Sequence, residues 1–123
     1  MFKGLAILLF AAIVELSGPN IQFDSEKYDF GSIKEGTVVT HTFTFKNTGD
    51  QPLIINKVPP QCFCLVSSFS KDPIPPGGEG TITVKFTSKG RPQGSTIKSF
   101  LVYSNAISQP HTIYLKGIIL PKN

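Results

Sequence analysis

Tryptophan is absent from this sequence, methionine occurs once, and cysteine and histidine occur twice each, so the residue types that build most metal and nucleophile sites are scarce. His41 and His111 have no serine or aspartate at a supporting spacing, which argues against a catalytic triad. Cys62 and Cys64 would need a third or fourth ligand to hold a metal, and only His41 or His111 could supply it. The acidic residues between Gly18 and Gly36 are spread through turns, and paired carboxylates for acid–base chemistry are not evident. The stretch from Pro73 to Gly80 is rich in glycine and proline but lacks a Lys-Ser/Thr pair and a following helix, so it is not a phosphate loop. Twelve cations give a net charge of +4, yet they are scattered one or two per segment, unlike the clustered patch of a nucleic-acid binder. The sequence therefore points to no catalytic residue and no cofactor.

Long apolar runs are also scarce. Met1-Phe2-Lys3 followed by the run from Gly4 to Val14 has the short basic start and apolar centre of a signal peptide. A spanning helix needs ~20 apolar residues, so this run is too short for a stable membrane anchor. Glu15 ends it, Leu16-Ser17-Gly18-Pro19 offers a poor small-residue cleavage site, and no cysteine follows to accept a lipid. The expected organisation is a signal peptide over residues 1–18 and a folded domain over residues 19–123, placed outside the cytoplasm.

What is abundant is strand-forming. Ten phenylalanines with many threonines, valines and isoleucines, punctuated by 11 glycines and 10 prolines, favour short strands separated by turns. A chain of 123 residues is large enough to bury one core without disulfides. The pattern is clearest from Val38 to Gly49. Val39, His41, Phe43 and Phe45 fall on one face and Thr40, Thr42, Thr44 and Lys46 on the other, the period-2 alternation of a half-buried strand. Asn47-Thr48-Gly49-Asp50 then turns the chain. Ile82, Val84 and Phe86 alternate in the same way from Thr81 onward.

Five weaker runs complete the set. Ile21 to Phe23 and Tyr28 to Phe30 read as one edge strand, interrupted and resumed. Leu53 to Val58 has an ambiguous register that implies a bulge or burial on both faces, and Pro59-Pro60 end it. Cys62 to Val66 comes next. Ile97 to Tyr103 is apolar on both faces, and His111 to Ile119 ends the fold with Gly117 at a bulge. About seven strands with regular turn signals describe an all-β, immunoglobulin-like antiparallel sandwich, with a barrel as the alternative. With no tryptophan and two cysteines only two positions apart, the chain lacks the Cys-Trp-Cys spacing of antibody domains. The lysines at 46, 57, 85, 98 and 116 fall about one per strand, as solvated outer faces do.

These residues also carry a family resemblance. Tyr28-Asp29-Phe30-Gly31-Ser32-Ile33-Lys34-Glu35-Gly36, the stretch from His41 to Gly49, Pro52-Leu53-Ile54-Ile55, Cys62-Phe63-Cys64, Ile74-Pro75-Pro76-Gly77 and Ser104-Asn105 occur in order. In this the chain resembles a bacterial family of unknown function related to the ASH, MSP and Hydin-like immunoglobulin folds, over Ile21 to Leu120. The resemblance implies an MSP/PapD-like sandwich, exported, typical of Bacteroidetes-like bacteria, with no established enzymatic activity. The family motif is Cys-Gly-Cys, and Phe63 stands in the glycine position.

The expected role is that of a non-enzymatic exported module that binds another protein or a cell-envelope component. The alternatives are a thiol redox or soft-metal site at Cys62 and Cys64, or a structural spacer. Phe63 and Phe69 are the candidate contact pair, with burial in the core as the commoner fate of an aromatic side chain. His111 is expected to be exposed and His41 to sit in the core or at a sheet end. The two cysteines are either paired thiols or a labile disulfide. In an extended segment their Cα atoms would lie ~6.6 Å apart, near the upper limit for a bridge, so closing it requires the loop to bend. Its loop-entropy gain would be only ~1.6 kcal/mol. Sheet edges, either the Ile21 to Phe30 segment or the last strand, are where β-augmentation by a partner is expected.

Overall fold

The computed structural model describes residues 17–107 and 110–123, and apart from Ser17 and Gly18 the segment read as a signal peptide lies outside them. Every regular element among the described residues is a strand: β1 (Ile21–Phe23), β2 (Lys27–Lys34), β3 (Val38–Asn47), β4 (Ile55–Lys57), β5 (Leu65–Phe69), β6 (Glu79–Thr87), β7 (Gly94–Ser104) and β8 (His111–Leu120). They form two four-stranded sheets with orders β1-β3-β6-β5 and β2-β8-β7-β4. This is the expected sandwich, with eight strands where about seven were expected.

The extra strand arises where the sequence suggested one interrupted edge. β1 pairs with β3 in the first sheet, whereas β2 pairs with β8 in the second, so the chain changes sheet across Asp24 to Glu26. The β2–β8 pair is parallel, which makes the second sheet mixed. Alternation within a strand reports which face is buried, but nothing in it reports strand direction. The same pairing corrects the expectation for the last strand. β8 lies between β2 and β7 and offers no free edge; the edges are β1 and β5 in one sheet and β2 and β4 in the other.

The faces of β3 and β6 follow the sequence alternation. Phe43, Phe45, Ile82, Val84 and Phe86 are buried, while Thr40, Thr42 and Lys85 face solvent. From the second sheet, Phe100, Val102, Ile113, Leu115 and Ile119 complete the core. β7 is not apolar on both sides as expected: Phe100 and Val102 are buried, but Ile97 is 67% exposed. Lys98 shares the parity of Phe100 and Val102, so it is half-buried at one end of the sandwich and is no outer-face lysine.

Two irregularities were partly legible. Leu53 exchanges backbone hydrogen bonds with Ile74, and β4 then pairs with β7 through a register shift between Ile55 and Lys57. That accounts for the ambiguous register of the Leu53 to Val58 run. The other bulge lies in β2 between Asp29 and Ser32, opposite Gly117. A Cβ on Gly117 would collide with the Phe30 ring and stand 2.6 Å from the Gly31 carbonyl oxygen, so only glycine fits there.

Asn47, at the end of β3, is fully buried and polar. Its amide nitrogen donates to the carbonyls of Gln51 (2.7 Å) and Ile74 (2.9 Å). Its side-chain oxygen accepts from the backbone N–H groups of Gly49 (2.9 Å) and Asn20 (3.3 Å). Its own backbone N–H donates to the Gly78 carbonyl, and its carbonyl accepts from the Gly77 N–H.

Replacing Phe45 with alanine should cost ~3 to 5 kcal/mol of stability, because the fully buried ring leaves a cavity. Thr40→Ala on the solvent face should change stability by under ~0.5 kcal/mol. Equal urea midpoints for the two variants would contradict the face assignment. Asn47→Leu should lose ~2 kcal/mol or more, since it strands buried backbone donors and acceptors that the amide now satisfies.

Candidate functional site

Beyond β4 the Pro59-Pro60 pair leaves only a single bridge to β7, and the segment that follows is clamped to both sheets. On the second sheet, Pro60 bridges to Phe100, and the Ser99 hydroxyl donates to Gln61 Oε1 at 2.7 Å. On the first sheet, the Thr87 N–H donates to the Cys64 carbonyl at 2.9 Å. Between these anchors the chain turns, and the Leu65 N–H donates to the Cys62 carbonyl at 3.1 Å. The turn draws the Cα atoms of Cys62 and Cys64 to 5.2 Å, and the two cysteines form a disulfide. The bend that an extended Cys-x-Cys segment would need is therefore present.

Phe63 is carried at the tip of this turn and is fully exposed. Because its two neighbours are tied together, its backbone is held by a covalent ring as well as by the two clamps. Phe69 is not its companion. It lies at the far end of β5, packs against the core, and has the Lys71 ammonium 4.0 Å above its ring. The expected aromatic contact pair reduces to Phe63, because β5 separates the two residues.

Cations surround the disulfide. The β6–β7 turn carries Lys89 and Arg91, and it is fixed by Ser88, whose buried hydroxyl donates to the Thr37 carbonyl (2.7 Å) and accepts from the Gly36 N–H (2.9 Å). The Gly90 N–H donates to Glu35 Oε2 at 2.7 Å, and the Arg91 N–H donates to the Ser88 carbonyl at 3.0 Å. Held this way, Arg91 Nη1 donates to Cys62 Sγ at 3.7 Å. Arg91 Nε is buried and has no hydrogen-bond partner among the described residues. Lys98 enters from β7. Pro60, Gln61, Cys62, Phe63, Leu65, Arg91 and Lys98 line a cleft of about 770 Å³ on one side of the loop. A second cleft of about 350 Å³, on the Cys64 side, is lined by Phe63, Cys64, Thr87, Lys89 and Arg91.

Sequence reasoning found the cysteines and Phe63 but missed Arg91 and Lys98. A signal for Arg91 existed, since it is the one arginine among twelve cationic residues and sits in the Gly90-Arg91-Pro92 turn. Lys98 carried none, because its placement depends on where β7 ends over the core.

The histidines are packing residues. His41 faces inward on β3, stacked on Tyr28 at 3.8 Å and edge-on to Phe43 at 4.6 Å. Burial pushes its pKa below the usual histidine value. His111 is half-buried rather than exposed, with its ring 6.2 Å from that of Phe23 and its Nε2 enclosed. The crossing between β1 and β2 brings Phe23 over the start of β8, which the sequence pattern did not disclose. Among the described residues, no three His, Cys, Asp or Glu side chains gather where they could hold a metal ion.

A family model described as "Protein of unknown function (DUF1573)" matches residues 21–119. No curated protein matches the chain. Among solved structures, a protein of unknown function from Porphyromonas gingivalis W83 superposes with a TM-score of 0.73 at 18% identity, over 89% of this chain and 50% of that one. This chain thus spans half the length of the Porphyromonas protein. The ASH/PapD-like domain 7 of human CEP192 superposes with a TM-score of 0.66 at 10% identity, over 91% of this chain and 93% of the domain. The YadV chaperone superposes with a TM-score of 0.56 at 14% identity, over 85% of this chain and 53% of that one. At these identities the likeness is one of fold, a PapD-like immunoglobulin sandwich.

The lowered pKa of His41 has a stability consequence of definite sign. Above about pH 6.5 the imidazole is neutral in both folded and unfolded chains, and no penalty applies. As the pH falls below that value, the unfolded chain takes up a proton before the folded one, so stability declines until the folded pKa is passed. Urea melts between about pH 7.5 and 5.5 should show this decline, and His41→Gln should flatten it.

Proposed function

The chain belongs to the DUF1573 family, and from that premise we propose that it is an exported, non-enzymatic immunoglobulin-like module that binds an extracytoplasmic protein or a cell-envelope component. The observation that carries this reading is Phe63. A fully exposed aromatic side chain costs a protein solubility, and here it is held rigid at the tip of a disulfide-closed, doubly clamped turn. Holding it so reduces the ordering entropy lost when a partner covers it. Aromatic anchors flanked by arginine are the usual centres of protein contact surfaces, and Arg91 lines the adjoining clefts. The disulfide agrees with an oxidising compartment, and so does the apolar start of the sequence. One structural neighbour is a chaperone, a protein whose work is contact with other proteins.

Two measurements test the reading. Mass spectrometry of the native protein should find a mature N-terminus between Leu16 and Ile21 in an extracytoplasmic fraction, and an intact Met1 in the cytosol would refute export. Burying a phenylalanine is worth ~1.5 to 3 kcal/mol, so Phe63→Ala should weaken capture of envelope partners by ~10-fold or more. The melting temperature should stay unchanged, because the ring touches no core residue. Undiminished capture by that variant would move the contact away from the loop.

A further inference from the structure

Cys62 and Cys64 close a loop of only three residues, so the bond removes little unfolded-chain entropy and adds little to a sandwich that has its own core. The surroundings of the two sulfurs differ in a way that stability does not require. Cys62 Sγ accepts two hydrogen bonds, from the Cys64 N–H at 3.1 Å and from Arg91 Nη1 at 3.7 Å. Cys64 lines the smaller cleft, whose other walls include Lys89, Arg91 and Phe63. Both residues thus border a cleft with cations at its edge, but it is Cys62 Sγ that accepts the two hydrogen bonds.

From this asymmetry we infer that the loop is a thiol–disulfide exchange site, in which Cys64 Sγ is the sulfur attacked and Cys62 Sγ is the leaving group. The co-reactant is a dithiol on a partner protein. One partner thiolate enters the cleft beside Lys89 and forms a bond to Cys64 Sγ. The Cys62–Cys64 bond breaks, and its electron pair goes to Cys62. The negative charge on that sulfur falls between the Cys64 N–H and the Arg91 guanidinium, whose buried Nε–H gives it spare donor capacity. The partner's second thiolate then attacks its own sulfur in the mixed disulfide and releases Cys64. Two electrons and two protons pass to this protein, and the partner leaves with a disulfide. Exchange is fastest where the departing thiolate is stabilised and the attacked sulfur is accessible, and the geometry supplies both.

Formation of the disulfide in the cell rests on the export proposed above, but exchange is testable on the purified oxidised chain, so failure of one leaves the other standing. Oxidised full-length protein is mixed with excess dithiothreitol at about pH 7, quenched by alkylation and read by mass. Arg91→Gln should slow reduction by ~10-fold, since a charge-assisted hydrogen bond to the leaving sulfur is lost. Arg91→Lys should recover part of the rate, and Lys46→Gln, an exposed cation at the opposite end of the β3–β6 pair, should match the wild type. In the reduced wild-type protein, limiting iodoacetamide at about pH 6 should label Cys62 before Cys64. Equal reduction rates for wild type and a folded Arg91→Gln overturn the assignment. If that variant fails to fold, equal labelling of the two cysteines in the wild type overturns it instead.

Discussion

Six hydrogen bonds converge on Asn47, a fully buried polar residue beside a core built mainly from Phe, Ile, Val and Leu. It ties the start of β1, the turn after β3, the bridge at Ile74 and the Gly77-Gly78 turn before β6 into one knot. A sandwich needs its sheets to meet in one register, and apolar contacts alone are non-directional. Asn47 provides direction, because its side-chain amide and its backbone groups are together satisfied only when all four segments sit in place. A fully satisfied buried network of this kind favours a single arrangement, whereas a partly satisfied one costs stability.

With that end fixed, the opposite faces of the loop system can be polar and open. The Cys62–Cys64 turn is held to the second sheet by Pro60 and Gln61 and to the first by Cys64 and Thr87. The β6–β7 turn that brings Arg91 is held separately, through buried Ser88 and through Glu35. Phe63, the disulfide and three cations are therefore placed by segments far apart in the chain. Their relative positions are set by the sandwich itself and do not depend on the short loops alone.

The surface that results is unusual for a small module. It joins an exposed aromatic ring to a covalent bridge that adds little stability and to a guanidinium that touches one sulfur of the bridge. The two proposed uses of this surface, contact and exchange, are compatible, since a partner that covers Phe63 would present its own groups to the clefts that Phe63 lines. Neither histidine takes part: His41 serves as a flat filler between Tyr28 and Phe43, and His111 packs near Phe23.

The sequence by itself determined the class of fold and the inward faces of β3 and β6, because side-chain alternation along a strand is a local property with a period of two residues. It also marked the turn at Asn47 and the candidates Cys62, Phe63 and Cys64, through residue types whose conformational and chemical preferences are local. It did not disclose that the first edge divides between two sheets, that β8 runs parallel to β2 and lies inside its sheet, or that Lys98 lines a cleft with Cys62. Those depend on which strands lie side by side, and pairing is decided by long-range fit. Arg91 shows the limit plainly: 29 positions separate it from Cys62, and only closure of the sandwich brings its guanidinium to the sulfur.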